Sequence, residues 1–272
     1  MTSKQAKKIA VNSDVVIMVL GEDGFQTGEG RSRTDIGLPR LQQQLLEEIY
    51  SVNSNIVLVL NNGRPLTLGW ADKHIPSIVE AWHLGTQSGN AIAQVLYGDY
   101  NPSGKLPMSF PRSVGQVPIY YNQKSTGRPN YPGGDVVFWS HFQDEKNDAL
   151  YPFGHGLSYT QFEYKNIRIK EENKFFEVQV DIINTGNIQG KEVVQLYIRD
   201  VFATVTRPIK ELKGFELISL NPKEKKTVKF TLTDKELGFY NNRGKFIVEP
   251  GYFEVFVGGS SKTVLNAKFE IK

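Results

Sequence analysis

The chain has 272 residues, of which 32 are basic and 29 acidic, and it contains no cysteine. This length favours two domains, each large enough to build its own hydrophobic core. The nearly balanced charge, without a long run of like charges, disfavours nucleic-acid binding. The lack of cysteine excludes disulfides, thiolate metal sites and cysteine nucleophiles.

The first half of the chain shows the pattern of an α/β domain. The start, "MTSKQAKKIA", is polar and lysine-rich, which predicts a surface helix and not a signal peptide. The apolar runs "VVIMVL" and "NIVLVL", at 15–20 and 55–60, are typical of strands buried on both faces of a parallel sheet, and "SIVEAW" is a weaker third. All are far shorter than a membrane span, so no such span is predicted.

Two helices are predicted between and after these strands. Leu41, Leu45, Leu46 and Ile49 recur at helical spacing, with Pro39 near the first turn. The segment "NAIAQVLYG" shows the same periodicity and stops at Gly98. This alternation predicts an α/β domain with a mainly parallel sheet over residues 1–150.

The pattern changes after a proline- and glycine-rich tract that ends near residue 160. We expect a linker at 151–160 and an all-β sandwich of immunoglobulin-like size at 161–272. Short alternating strands separated by turn signals support this prediction. The clearest of them are "FFEVQVDII", "GKEVVQLYI", "KTVKFTLT" and "YFEVFVGG".

The segment "GEDGFQTGEGRSRTDIGLP", at 21–39, is long for a connector between a strand and a helix, and long loops of this kind are often functional. It leaves the carboxyl end of the first strand, where open parallel sheets bind their ligands. Glu22 lies directly at the strand end, and Glu29 lies between Gly28 and Gly30. The spacing alone leaves either glutamate open to a catalytic or a structural role.

Other motifs of catalysis are missing or incomplete. The loop does not match a dinucleotide fingerprint, and "SGK" at 103–105 lacks the upstream glycine of a phosphate-binding loop, so no cofactor is predicted. We assign structural roles to the histidines; His83 and Asp23 are partial exceptions, because both lie near the ends of predicted strands. No metal site is predicted, since the four histidines, at 74, 83, 141 and 155, lack metal-ligand spacing.

Several long motifs together resemble one family along essentially the whole chain. Besides the loop at 21–39 they are "VLNNGRPLTLGW", "GDYNPSGKLPMSFP", "LYPFGHGLSYTQFEY" and "RPIKELKGFELISL". They resemble the C-terminal half of glycoside hydrolase family 3 enzymes, with the greatest likeness to periplasmic β-glucosidases. The resemblance implies a partial α/β sandwich followed by a fibronectin type III-like domain, a β-glucoside or oligosaccharide substrate, and a periplasmic or secreted location.

The resemblance also implies a role for Glu29. The acid/base glutamate of the family, in its E-x-x-S-R stretch, is matched by Glu29 of "GEGRSR". Retaining glycosidases use two carboxyls ~5–5.5 Å apart, one as nucleophile and one to transfer a proton. We expect Arg31 and Arg33 to be salt-bridged loop anchors, because a cation beside Glu29 would favour its ionised form.

The family's TIM barrel and its nucleophile motif are not found in this sequence. We therefore expect the chain to be a C-terminal fragment that is inactive alone, needs the barrel domain as a partner, and exposes an apolar face or sheet edge that favours self-association. Two alternatives remain open. The chain could be a non-catalytic carbohydrate-binding module, with Tyr120, Tyr121, Tyr131 and Trp139 as its candidate aromatics, or a structural module only.

Overall fold

The computed structural model describes residues 2–129 and 138–272. The chain forms two compact units. One takes in residues up to 99 with 110–118 and 148–150, and the other takes in residues 100–109, the described part of 119–147, and 151–272. Between residues 100 and 150, segments of the chain belong alternately to the one unit and to the other. The linker predicted at 151–160 stays a prediction.

The first unit confirms the predicted parallel sheet, whose strand order is β1-β2-β3. β2 is buried almost continuously, because a strand at the centre of the sheet is covered on both sides. α1 begins with a capping box, in which the Thr2 hydroxyl and the Gln5 side chain satisfy each other's backbone N–H groups. The elements are α1 (Ser3–Val11), β1 (Val16–Gly21), α2 (Gln42–Tyr50), β2 (Ile56–Asn61), α3 (Gly69–His74), β3 (Ser77–Glu80) and α4 (Ser88–Leu96).

The predicted helix at 41–49 is confirmed with one correction. Leu46 and Ile49 are buried as expected, but Leu41 precedes the helix and is 74% exposed. The backbone of Arg40 has a φ of 55° and thus breaks the helical path before Gln42. Pro39 lies before the helix and accepts the N–H of Gln42.

The first unit also exposes the apolar surface that the sequence predicted. The prediction that β1 is buried on both faces is wrong, because β1 pairs only with β2 among the described strands and its Ile17 and Val19 are 46% and 60% exposed. α4 buries none of its residues. Self-association through this surface stays a prediction.

The second unit contains the predicted all-β sandwich, with a four-stranded sheet in the order β12-β11-β6-β7 and a three-stranded sheet in the order β4-β5-β8. Its core is aliphatic, with Val180, Leu196 and Val255 among its fully buried residues. The elements are β4 (Phe162–Glu172), β5 (Phe175–Asn184), β6 (Gly190–Asp200), β7 (Glu211–Leu220), β8 (Lys225–Leu232), α5 (Asp234–Leu237), β9 (Phe239–Tyr240), β10 (Phe246–Ile247), β11 (Gly251–Gly258) and β12 (Asn266–Ile271). No helix in the described part of the chain is long and apolar enough to cross a membrane.

Candidate active site

The loop that follows β1 is fixed where it leaves the sheet. Gly21 has a φ of 133°, and a Cβ at this position would lie 2.1 Å from the Asn61 carbonyl oxygen, so only glycine fits beside β2. The Gln42 side chain at the start of α2 donates to the Gly21 carbonyl at 2.9 Å and accepts its N–H at 2.7 Å. The path of the chain into the loop is therefore defined by both neighbouring elements.

Glu22 is a buried anchor. Its side chain is inaccessible to solvent, with Arg33 Nη1 at 2.7 Å and Arg64 Nε at 2.9 Å from Oε1. The Gly63 N–H also donates to Oε2, at 3.3 Å. A buried carboxylate with two cations and a backbone donor is satisfied where it lies, and a substrate could reach it only by displacing these partners.

Arg64 connects the loop to the turn after β2. Its Nη2 atom donates to the backbone carbonyls of Gln26 and Arg31 at 2.7 and 2.9 Å. Gly63 approaches the same loop so closely that a Cβ there would lie 2.3 Å from Thr27 Oγ1. Residues 62–64 thus form a platform on which the loop lies.

The two arginines of the loop differ in what they anchor. Arg33 is the predicted salt-bridged anchor, since it pairs with Glu22 and donates from Nη2 to the Gly37 carbonyl at 3.2 Å. Arg31 also holds the loop, but through the Phe25 carbonyl at 2.7 Å and the face of the Phe25 ring, not through an ion pair among the described residues.

Glu29 lies at the tip of the loop, and its side chain is exposed. Its neighbours Gly28 and Gly30 have φ angles of 124° and 69°, which side chains other than glycine rarely adopt. No hydrogen bond or ion pair within residues 2–129 and 138–272 reaches its carboxylate. The loop therefore buries one of its two glutamates at its base and presents the other to solvent at its tip.

An open depression of about 600 Å³ lies beside this loop. Its lining includes Arg31, Arg64 and His83, together with Gly28 and Gly63. A depression of this size, at the carboxyl ends of parallel strands and next to an unpaired carboxylate, can receive a polar ligand.

A second carboxylate lies at the carboxyl end of β3. Glu80 accepts the N–H of Trp82 at 3.0 Å and an N–H of the buried Asn62 side chain at 3.3 Å. Burial raises the pKa of Glu80 to about 7, and the bonds from Trp82 and Asn62 oppose that rise. Trp82 has a positive φ of 49°, so this bond holds an unfavourable backbone conformation in place.

The remaining candidates have structural roles or lie at the rim. Asp23 forms a local turn, in which its carboxylate accepts the Phe25 N–H at 2.8 Å. His83 is exposed in the depression, whereas His74 stacks on Trp70. Within the part of the chain that the structure describes, no group of three or more histidine, aspartate or glutamate side chains could hold a metal ion.

The four candidate aromatics do not share one environment. Tyr120 is 62% exposed and Trp139 is half-buried. Tyr121 stacks on Phe153 with ring centroids 4.3 Å apart. Tyr131 lies outside the described residues.

Reasoning from the sequence did not identify Arg64, Asn62 or Glu80. A usable signal was present, because "NGRP" at 62–65 and Glu80 follow or end apolar strands, as Glu22 does. Polar residues that follow adjacent parallel strands meet at one edge of the sheet.

The chain thus contains an α/β domain, with an exposed glutamate on a loop at the ends of its strands, and a β-sandwich that follows it in the chain. Residues 1–159 match the glycosyl hydrolase family 3 C-terminal domain, and residues 192–261 match a fibronectin type III-like domain. The chain belongs to glycosyl hydrolase family 3.

Similar proteins carry the names of two related activities. The chain is 45% identical over 271 residues to a periplasmic beta-glucosidase of Salmonella typhimurium, covering 98% of this chain and 35% of that protein. It is 43% identical over 262 residues to a beta-xylosidase of Formosa agariphila, covering 95% of this chain and 35% of that protein.

A solved structure shares the fold closely. The beta-glucosidase from Listeria innocua in complex with glucose superposes with a TM-score of 0.94 at 41% identity, covering 98% of this chain and 38% of that chain. The chain therefore spans about a third of the length of the relatives it matches.

Proposed function

We propose that this chain supplies the general acid/base of a retaining β-glucosidase, and that Glu29 is the residue that transfers the proton. The proposal is based on one observation. The Glu29 side chain is exposed and has no partner among the described residues, although the loop that carries it is anchored. An acid/base carboxyl must reach the glycosidic oxygen and then a water molecule, so it has to be free of permanent partners.

In this proposal the nucleophile comes from a barrel domain, in the same chain or in a separate one. Glu29 protonates the leaving glycosidic oxygen as the nucleophile attacks, and its carboxylate then deprotonates the water that releases the sugar. The isolated chain carries half of the carboxyl pair and should hydrolyse β-glucosides only at the background rate. We also propose a periplasmic location for this chain, by analogy with the Salmonella relative.

The substrate is proposed to be a terminal β-glucoside. The xylosidase name of one relative makes a β-xyloside the competing substrate. Parallel assays with aryl β-glucoside and aryl β-xyloside on the enzyme that contains the barrel would separate the two by their kcat/KM ratio.

The test of Glu29 uses the same enzyme and a Glu29→Ala variant. With an activated aryl leaving group the first step needs no proton, so glycosyl-enzyme should accumulate while the second step slows by about 10²–10⁴-fold. Azide needs no deprotonation and should restore turnover with a glycosyl azide as product. The Glu22→Ala variant is the matched control and should show no such rescue. Rescue at position 22 together with none at position 29 would transfer the role to Glu22.

The alternative of a non-catalytic carbohydrate-binding or structural module has weaker support. Among the described aromatics Tyr121 is used in packing, which leaves Tyr120 as the most exposed candidate platform. Calorimetric titration of the isolated chain with oligosaccharides would favour the binding module if a Tyr120→Ala variant lost the signal.

A further inference from the structure

A chain of hydrogen bonds leads from the end of β3 to the loop that carries Glu29. Glu80 accepts an N–H of the Asn62 side chain, and the same Asn62 nitrogen donates to the Arg64 carbonyl at 2.8 Å. Asn62 is completely buried, and its Oδ1 atom has no partner within the described residues. Both N–H groups of this amide are therefore used to connect Glu80 with the turn at Arg64.

That turn holds the loop on both sides of its tip. The Arg64 guanidinium binds the carbonyls of Gln26 and Arg31, three residues before and two residues after Glu29. A change in the position of Arg64 would consequently move both points from which the tip extends.

We propose that Glu80 is a positioning residue for Glu29, acting through Asn62 and Arg64 on the loop between Gln26 and Arg31. The effect on catalysis rests on the proposed function of Glu29. The effect on the loop itself does not, and it can be measured in the chain alone.

The ionisation state of Glu80 sets how strongly it accepts the Asn62 N–H. As a carboxylate, Glu80 accepts the Asn62 N–H and the Trp82 N–H with one oxygen each. As a neutral acid it has one carbonyl oxygen for these two donors, and its hydroxyl oxygen is the poorer acceptor, so protonation weakens one of the two bonds. Because burial raises the pKa of Glu80 to about 7, the ionised form that accepts both N–H groups predominates above pH 7, and the Asn62 link weakens as the pH falls through 7. The Asn62 amide could turn over to accept the proton, but it would then release the Arg64 carbonyl.

Other charged groups near this cluster are engaged elsewhere or serve as controls. The Arg64 guanidinium binds Glu22 at the end of β1, which also pairs with Arg33. His83 is exposed and follows Trp82, so it is the group most easily confused with Glu80 in a pH titration.

The first experiment measures backbone ¹⁵N relaxation of residues 26–31 in the chain between pH 5.5 and 8.5. In the wild type we expect order parameters near ~0.85 above pH 8, falling toward ~0.6 through a midpoint near pH 7. Glu80→Gln should give the low values at every pH, and His83→Gln should behave as the wild type. Retention of wild-type order at pH 8 in Glu80→Gln, or loss of the pH step in His83→Gln, would overturn the proposal.

Two further measurements test the role of Glu80 if its variant does not fold, and distinguish that role from the proposed function of Glu29. If Glu80→Gln does not fold, the pH titrations of the wild type and His83→Gln decide alone. In the enzyme with the barrel, Glu80→Gln should lower kcat for a poor leaving group about tenfold, without azide rescue, because Glu29 is still present. Failure of azide rescue in Glu29→Ala would contradict the proposed function and leave the relaxation result for Glu80 unaffected.

Discussion

The base and the tip of the loop after β1 place a glutamate carboxylate in opposite environments. At the base, Glu22 is 3% exposed and bound by Arg33, Arg64 and the Gly63 N–H. At the tip, Glu29 is exposed and unpaired among the described residues. Sequence position alone did not show which of the two glutamates has a structural role. The number of fixed partners that each carboxylate has distinguishes them. A satisfied, buried carboxylate stabilises, whereas a free one on a stabilised support can react.

The largest effect on folding is expected at the base. Glu22→Ala leaves Arg33 and Arg64 without their shared partner, and breaking a buried ion pair in this way lowers the free energy of unfolding by about 3–5 kcal/mol. Urea denaturation followed by tryptophan fluorescence measures the change, since Trp70 and Trp82 lie in the first unit.

Glu22→Gln is the matched control for that measurement. The amide keeps the shape and one acceptor oxygen but loses the charge, so it should be destabilising by less than the alanine variant. Equal stability of wild type and Glu22→Ala would remove the distinction between base and tip.

The contact between the loop and its platform gives the next largest effect. A Cβ at position 63 would lie 2.3 Å from Thr27 Oγ1, so Gly63→Ala must displace the loop and should cost about 1–3 kcal/mol through overpacking. Thr27→Ala removes the nearest atom and should recover part of the loss in the double variant, which a double-mutant cycle detects. Additive effects of the two substitutions would mean that the loop does not depend on this contact.

Much of the fold was predictable because it depends on local pattern. The runs at 15–20 and 55–60 became β1 and β2 within a residue, and the alternating segments of the second half became β5, β6, β8 and β11. Apolar runs and period-two alternation are properties of short segments, and a single sequence displays them.

The site was less predictable because its contacts join distant segments. Arg64 reaches the carbonyl of Gln26 across 38 positions, and Glu22 reaches Gly63 across 41. Nothing within the loop indicates that these partners fold back onto it. The proposed role of Glu29 came from its motif, whereas the partial burial of Glu80 depends on how the sheet is packed.

A smaller effect on stability is expected at Gly30, which follows Glu29 at the tip of the loop. Gly30 has a φ of 69°, and a Cβ there would meet no atom within 4 Å, so Gly30→Ala strains only the backbone. We expect a loss of about 1–2 kcal/mol, the usual penalty for a side chain in the left-handed region. Gly24→Ala is the control, because Gly24 has open space and no positive φ. Equal unfolding midpoints for the two variants would contradict this account of the tip.

The smallest effect on stability is expected for Glu29 itself. Glu29→Ala removes no hydrogen bond or ion pair that the described residues make, and surface substitutions of this kind usually change the free energy of unfolding by less than about 0.5 kcal/mol. Denaturation of Glu29→Ala and Glu22→Ala side by side in the isolated chain measures the contrast without any catalytic assay. A loss above about 1 kcal/mol at position 29 would reveal a structural partner and weaken the case that this carboxylate is held free for proton transfer. An unchanged midpoint, combined with the loss of activity expected in the enzyme with the barrel, would place the two glutamates in different roles, since a residue that is silent in folding but needed for turnover acts in catalysis and not in stability.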